Sequence, residues 1–194
     1  STRKGNFVEV EGLLEDAINR VKKVILEKDN LDGMDIEDVS KKVGLGAVVF
    51  SNLLDSRVKD SVFDVNSAIS FQGDTGPYVQ YMAVRTKSVL KKVNNDISKD
   101  IDFSILTDDS SFNLIKVLSN FEEVLRSALE KNEPSFISRY LLDVAKAFSV
   151  FYNNDKIICD DKKIQDARVY LTYVTNKVLN RGLNLLGIQV PDKM

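Results

Sequence analysis

The chain has 194 residues, and 27 Lys and Arg stand against 29 Asp and Glu, which gives a formal net charge of -2 at pH 7. A near-balance of charge gives no global sign of nucleic-acid or membrane binding, so any site for a polyanion must be a local patch. Histidine is absent, which excludes Ser-His and Cys-His nucleophile pairs, histidine general bases and most zinc sites. Cys159 is the single cysteine and cannot form an internal disulfide, and no stretch of sequence is long and apolar enough to span a membrane. We therefore expect a cytoplasmic, metal-free protein that can bury a real core.

The first 70 residues predict helical segments and a short β element. Residues 6–12 begin with the alternation of a strand, and apolar residues then recur at helical spacing from about 12 to 28. Asp35 suits the N-cap of the next helical segment, and the Gly-Leu-Gly sequence at 44–46 predicts that this segment is two helical pieces. In residues 60–71, apolar and polar side chains alternate, and turn residues flank them. This pattern predicts one or two short strands at the boundary between two structural units.

From residue 77 onwards the pattern is helical throughout. Pro77 suits the first position of a helix that runs to about residue 94, and Pro134 opens another helix. A last helix runs from about 161 to 186 and ends before Gly187, with a proline beyond it. Four or five amphipathic helices with short connections predict an antiparallel helical bundle over residues 75–194, so the fold class is mainly α.

A helical wheel gives the helix from 77 to 94 two faces. An apolar arc predicts the core side, and a neighbouring arc alternates aromatic and cationic side chains. The second arc contains Tyr78, Tyr81, Arg85, Ser88 and Lys92. Unpaired RNA bases stack on tyrosine rings or on a guanidinium plane, and cations neutralise the phosphates between them. The alternative is that the tyrosines are core-edge residues whose hydroxyls reach water, and spacing alone does not decide between the two.

Longer stretches resemble one known family. ISFQGDTGPYVQYMAVR (69–85) resembles the family pattern LSFEG(D/N)T(G/A)PYLQYAxxR, except that Gln72 replaces the glutamate, and residues 44–65 resemble the segment before it. SRYLLDVAKAFSVFYNN (138–154) resembles the helix xxYLxxLAxxFxxFYxx, and residues 166–194 resemble the terminus ARLxLxxAxxxVLxxGLxLLGIxxPxxM. The chain is therefore similar to the C-terminal part of arginyl-tRNA synthetases, which are class I aminoacyl-tRNA synthetases.

This resemblance implies a helical anticodon-binding domain at residues 71–194. The family positions that meet the anticodon loop match Tyr78, Tyr81 and Arg85, and its terminal methionine matches Met194. Lys92 is also a predicted RNA-binding residue, but only its position on the helical wheel supports it. Tyr152, Tyr140 and Arg139 lie on another helix that could line the same groove, although a place in the core or on a salt-bridged surface is as good an interpretation.

Residues 1–70 are expected to be the tail of the catalytic region and a helical connection along the tRNA. STRKG resembles the end of a family loop that reads Lys-Met-Ser-Thr-Arg-Lys-Gly and closes over the ATP phosphates. The expected remnant of this ATP loop is Ser1, Thr2, Arg3 and Lys4. Read without the family, the same residues are a flexible basic terminus. The resemblance implies that the chain starts inside this loop, so no complete catalytic site is expected and an isolated fragment should bind tRNA at most.

The predicted function is anticodon recognition for an arginine-tRNA ligase. ATP with magnesium and L-arginine are expected to bind only the full-length enzyme, and the expected partner of this chain is the anticodon loop of arginine tRNA. We expect a monomer that binds neither DNA nor membranes. The alternative is a free-standing helical adaptor that binds protein partners through an amphipathic groove.

Overall fold

The computed structural model describes residues 9–27, 31, 33–60, 62–94, 97 and 100–194. These residues form eight α-helices and one 3₁₀ turn at Phe103–Ile105. The helices are α1 (Val10–Leu26), α2 (Ile36–Leu54), α3 (Val65–Ala68), α4 (Gly76–Lys92), α5 (Asp109–Ser119), α6 (Phe121–Lys131), α7 (Ser135–Asn154) and α8 (Lys162–Leu185). The predicted helices at 12–28, 77–94 and 161–186 correspond to α1, α4 and α8 within two residues at each end. The prediction of a mainly helical fold is confirmed.

The helix α2 is continuous, and the predicted break at the Gly-Leu-Gly sequence is wrong. Asp35 caps the helix as predicted, because its carboxylate accepts a hydrogen bond from the backbone of Asp38 at 3.1 Å. The glycines serve close packing. A Cβ on Gly44 would lie 2.7 Å from the Cα of Ile18 in α1, and a Cβ on Gly46 would lie 2.7 Å from the side-chain amide of Gln80 in α4. Two neighbouring helices thus approach α2 at positions where only glycine leaves room.

The predicted short β element is absent from the described residues. In the range predicted as strand, Val65–Ala68 form a single helical turn, which Asp64 caps by accepting a hydrogen bond from the backbone of Ser67 at 2.8 Å. The described backbone there bonds locally, whereas a strand needs a partner for its amides and carbonyls. Of the strand predicted at 6–12, residues 6–8 lie outside the described residues and residues 10–12 belong to α1.

Long-range contacts show that several packed helix pairs run antiparallel. In the α4–α8 pair, Thr86 meets Asn176, and Gln80 bonds the carbonyl of Gln189 just beyond the end of α8, so the residue numbers run in opposite senses. The α5–α7 pair does the same, with Ser110 bonded to Asp155 and Leu118 to Tyr140. Two further pairs are antiparallel by the same comparison: α7 with α8, and α1 with α2. The predicted antiparallel bundle is thus present, with the five helices α4–α8.

The apolar interior forms two clusters. The bundle core joins α4, α5, α7 and α8 and includes the fully buried side chains Phe148, Phe151 and Leu179, with Phe50 reaching it from α2. The smaller hairpin core lies between α1 and α2 around Val21 and Val43. Because α2 contributes to both clusters, it connects the α1–α2 hairpin to the bundle.

Candidate nucleic-acid interface

The Gly-Asp-Thr-Gly turn sets where α4 begins. Gly73 has φ +81°, a conformation that favours glycine. Thr75 caps the helix, since its hydroxyl accepts a hydrogen bond from the backbone of Tyr78 at 3.2 Å and donates one to the carbonyl of Ser70 at 2.6 Å. A Cβ on Gly76 would lie 2.7 Å from the Cβ of Phe50, so the turn packs directly on α2. The position of Tyr78 in the first helical turn follows from this start.

The side chain of Arg85 lies against two tyrosine rings. Its guanidinium carbon is 4.5 Å from the ring centroid of Tyr81 and 4.8 Å from that of Tyr152, which α7 contributes. An Nη of Arg85 also donates a hydrogen bond to the Tyr81 hydroxyl. All three side chains are half-buried. The cation is therefore held in one place by π contacts and a hydrogen bond and remains accessible to solvent.

A second cation lies beside Tyr78. Lys146 of α7 donates to the carboxylate of Asp74 at 2.6 Å, and about half of each side chain is exposed. This hydrogen bond raises the pKa of the Lys146 ammonium, and the nearby Asp143 and Tyr78 act in the same direction while burial opposes it. We call Tyr78, Tyr81, Arg85, Lys146 and Tyr152 the tyrosine face. It presents aromatic rings next to two cations, which suits unpaired bases and phosphates.

The remaining predicted site residues lie outside the tyrosine face. Lys92 is exposed on the last turn of α4, about 10 Å along the axis from Arg85. Ser88 is exposed and donates its hydroxyl to the carbonyl of Val84 at 3.0 Å. Met194 is half-buried and packs against the hairpin core. Residues 1–4, the predicted remnant of the ATP loop, lie outside the described residues.

The other two α7 residues considered in the sequence, Tyr140 and Arg139, make contacts within the fold. Tyr140 is 5% exposed, stacks on Phe121 with ring centroids 5.7 Å apart and donates to the carbonyl of Leu118 at 3.3 Å. Burial raises the pKa of its hydroxyl. Arg139 is exposed and donates to the carbonyl of Leu54 at 3.3 Å. Of the three residues considered on this helix, only Tyr152 belongs to the tyrosine face.

An open groove of ≈ 630 Å³ borders the tyrosine face. It lies between α5, α6 and α7, and Lys146 of the tyrosine face is one of its lining residues. Val117, Val124 and Ala147 contribute apolar lining, whereas Asn113 and Asn120 contribute amides. The carboxylates of Glu123 and Asp143 also line it, so the groove combines apolar, amide and acidic groups next to Lys146.

Two residues that support this interface were not among the predicted site residues. Lys146 lies more than 60 residues after the Tyr-Arg motif in the sequence, so only the packing of α7 on α4 brings it near Tyr78. Gln80 points away from the face and is fully buried. Its amide donates to the carbonyl of Lys42 at 3.1 Å and to that of Gln189 at 2.7 Å, which ties α4 to α2 and to the C-terminal segment.

The described part of the chain gives no sign of a metal site or a membrane segment. Within it, no group of three or more Asp, Glu, Cys or His side chains could hold a metal ion. No described helix is both long and apolar enough to cross a bilayer.

The described residues thus form a helical bundle that carries an aromatic and cationic face. Residues 79–194 match the family of the DALR anticodon binding domain. The chain belongs to this family. Residues 1–65 match a second family, the catalytic domain of tRNA synthetases class I (R). The resemblance to the C-terminal region of arginyl-tRNA synthetases is confirmed.

Relatives of known name agree with this membership. The chain is 48% identical over 194 residues to an arginine-tRNA ligase of Halothermothrix orenii and 41% identical to one of Clostridioides difficile. Each match covers 100% of this chain and 34% of the relative, so the chain spans about a third of their length. The arginyl-tRNA synthetase of Thermus thermophilus has a similar structure, with a TM-score of 0.88 and 33% identity over 96% of this chain and 32% of that one. A Plasmodium falciparum arginyl-tRNA synthetase shares the fold, with a TM-score of 0.82 at 22% identity, covering 97% of this chain and 34% of that one.

Proposed function

We propose that this chain recognises the anticodon loop of arginine tRNA as part of an arginine-tRNA ligase. The observation that carries the proposal is the tyrosine face, in which Tyr81, Arg85 and Tyr152 form one contact cluster on a bundle of the anticodon-binding family. The family match to a catalytic domain over residues 1–65 supports the link to an aminoacylating enzyme.

The geometry supports a mechanism of stacking and charge neutralisation. Splayed anticodon bases stack on Tyr78 and Tyr81, and Arg85 donates to a base edge or a phosphate from its position over two rings. Lys146 neutralises a phosphate at the other end of the face. The free energy of these contacts helps to position the distant acceptor end of the tRNA at the catalytic site.

Lys92 and Met194 extend this proposal along the chain. Lys92 is exposed on the same helix as the tyrosines and is free to approach a phosphate beyond Arg85. Met194 keeps part of its side chain accessible while the rest packs on the hairpin core. We propose that both residues contact the anticodon arm.

The assignment of different roles to the two parts of the chain is also a proposal. We infer that residues 1–70 form the tail of the catalytic region and that residues 71–194 form the anticodon-binding domain, and the hairpin core, which consists mainly of residues before 70, supports this division. Ser1, Thr2, Arg3 and Lys4 would belong to the loop over ATP, and ATP with magnesium and L-arginine would be used by the whole ligase. By itself this chain is expected to bind tRNA without aminoacylating it. The cytoplasmic location and the monomeric state stay predictions.

The decisive experiment compares two tRNAs that differ at one base. Binding of this protein to arginine tRNA is measured by calorimetry and compared with the same tRNA altered at the middle anticodon base. We expect weaker binding of the altered tRNA at two salt concentrations, because the base contacts are lost while the phosphate contacts remain. Equal binding of the two tRNAs would contradict anticodon recognition.

A free-standing helical adaptor is the weaker alternative. An adaptor has no use for a segment of a synthetase catalytic domain, and residues 1–65 match such a domain. A genomic reading frame that begins near residue 1 would be needed to restore this alternative.

A further inference from the structure

The helix α8 repeats the spacing of the tyrosine motif on α4. Tyr170, Tyr173 and Lys177 stand at positions i, i+3 and i+7, as the two tyrosines and the arginine of α4 do. The contact geometry repeats as well, because the Lys177 ammonium lies 5.2 Å from the ring centroid of Tyr173. Residues at this spacing share one side of a helix, so α8 has its own line of aromatic and cationic groups.

Aromatic contacts extend this line to the 3₁₀ turn. The ring of Phe103 meets Tyr170 edge to face at 5.3 Å, and Tyr170 meets Tyr173 at 6.0 Å. Phe103 is 47% exposed, although a large apolar side chain that serves only the core would be buried. We call Phe103, Tyr170, Tyr173, Lys177 and Arg181 the α8 face.

An apolar cavity of ≈ 360 Å³ opens beside these rings. It lies between α5 and α8, and its walls include Phe103, Ile115, Tyr170 and Val174. A planar aromatic group fits such a slot, since it can contact ring faces and aliphatic groups at once.

The charges along the α8 face are unevenly distributed, with carboxylates at one end and cations at the other. Asp102 and Asp166 flank the end with Phe103, where each carboxylate has a hydrogen-bond partner in Ser104 or Lys162. The other end has the exposed cations Lys177 and Arg181. An anionic ligand would therefore put its flat part near the cavity and its charge over the C-terminal half of α8.

We propose that the α8 face is a second RNA site, which takes an unpaired nucleotide with its base at the cavity and its phosphates at Lys177 and Arg181. A peptide with apolar side chains would use the cavity, but it would leave the cation over the Tyr173 ring without a role. This site is separate from the tyrosine face, because α7 completes that face whereas α5 and the 3₁₀ turn complete this one. The proposal therefore stands on its own contacts and does not require anticodon recognition.

The test isolates the second site by weakening the first. The intact protein carries Tyr81→Ala, and a fluorescein-labelled single-stranded RNA of about ten mixed A and U nucleotides is titrated by fluorescence anisotropy. Adding Tyr173→Ala is expected to lower the affinity roughly 5- to 150-fold, the range for the loss of one base stack. Tyr173→Phe keeps the ring and is expected to retain the affinity within about twofold. Lys177→Glu changes an exposed residue, and it should weaken binding and flatten its dependence on salt.

The matched control is Leu185→Ala, which truncates another exposed side chain of α8 and should leave RNA binding unchanged. Equal affinity of the Tyr81→Ala protein with and without Lys177→Glu would overturn the proposal, and this variant decides the question if Tyr173→Ala unfolds the protein. Absence of RNA binding by the Tyr81→Ala protein would overturn it too. Failure of anticodon recognition gives a different result, namely that Tyr81→Ala itself leaves the affinity for arginine tRNA unchanged.

Discussion

Arg85 is fixed by its neighbours in the described structure. Its guanidinium lies within 5 Å of the ring centroids of Tyr81 and Tyr152, at 4.5 and 4.8 Å, and it donates to the Tyr81 hydroxyl. A long cationic side chain that is already ordered loses less rotamer entropy when it binds RNA. The order of this side chain depends on α7 as much as on α4.

Replacing Tyr81 tests the tyrosine face directly. In the full-length enzyme, Tyr81→Ala is expected to weaken tRNA affinity by about 1–3 kcal/mol, because a base loses its stacking partner and Arg85 loses one of its two rings. Arginine-dependent ATP chemistry on bound tRNA should change little. Binding by filter retention and aminoacylation kinetics measure the two effects. Tyr81→Phe is the control, and it should retain most of the affinity since it keeps the ring; an alanine variant with parental affinity would refute stacking at this position.

Asp108 makes stability depend on pH. Burial raises the pKa of this carboxyl, but the hydrogen bonds from Ser111 and Ser110 outweigh burial and hold the pKa below its ordinary value. A depressed folded-state pKa stabilises the fold above the unfolded value of about 3.9, and this contribution is lost as the pH falls through the folded-state pKa.

We therefore expect Asp108→Asn to lower the free energy of unfolding by about 1–2 kcal/mol at pH 7, because a neutral amide accepts weaker hydrogen bonds. The difference from the parent should shrink as the pH falls below about 4. Urea titrations at pH 7, 5 and 3 provide the measurement. Asp109→Asn changes the exposed neighbouring carboxylate and is the matched control. A difference that stays constant down to pH 3 would argue against the role of the Asp108 charge.

At the scale of elements, the packing of α1 on α2 depends on glycine. A Cβ on Gly44 would lie 2.7 Å from the Cα and 2.8 Å from the backbone nitrogen of Ile18, and backbone atoms cannot turn away as a flexible side chain can. Alanine favours a helix over glycine by about 1 kcal/mol. The steric cost of separating two packed helices exceeds this gain.

Gly44→Ala is accordingly expected to destabilise the protein by about 1–3 kcal/mol. Gly12→Ala is the opposite case, since Gly12 is exposed on α1 with nothing within 4 Å of an added Cβ. That variant should gain about 0.5–1 kcal/mol. Thermal unfolding followed by circular dichroism measures both variants, and two changes of the same sign would contradict close packing at Gly44.

At the scale of the whole molecule, the C-terminal segment connects the bundle to the hairpin. It leaves α8 at Gly187, bonds Gln80 through the carbonyl of Gln189 and pairs Asp192 with Lys87. Its last residue, Met194, packs on the hairpin core. Helices that share no short connection are thereby held together.

Gln80→Leu tests this connection. The carbonyls of Lys42 and Gln189 would lose their amide donor, and we expect a loss of about 1–2 kcal/mol in the free energy of unfolding. Hydrogen exchange in residues 187–194 should accelerate more than exchange in α5. Gln72→Leu is the control, because Gln72 is exposed in the turn before α4. Uniform acceleration over the whole chain would show a general loss of stability in place of a released segment.

Much of this fold follows from local interactions that can be recognised in the sequence. Apolar residues at helical spacing, the proline at the start of α4 and the cap at Asp35 depend on a few neighbouring residues, so these helices could be predicted closely. The line of Tyr78, Tyr81 and Arg85 is also a local property of one helix. The family resemblance added the expected partner, because a long and specific match carries information that no single helix contains.

Tertiary structure decided what local patterns left open. Glycines at 44 and 46 look like a helix break in sequence, but close packing against α1 and α4 keeps them inside α2. Residues 65–68 alternate like a strand, yet without a partner their backbone closes a helical turn. The places of Tyr152 and Lys146 beside the α4 motif, and the burial of Tyr140 in the core, depend on how α7 packs. The sequence by itself determined the helices and the residues that line one side of α4; which distant side chains complete that side was decided only when the helices packed, because such contacts join residues more than 60 positions apart.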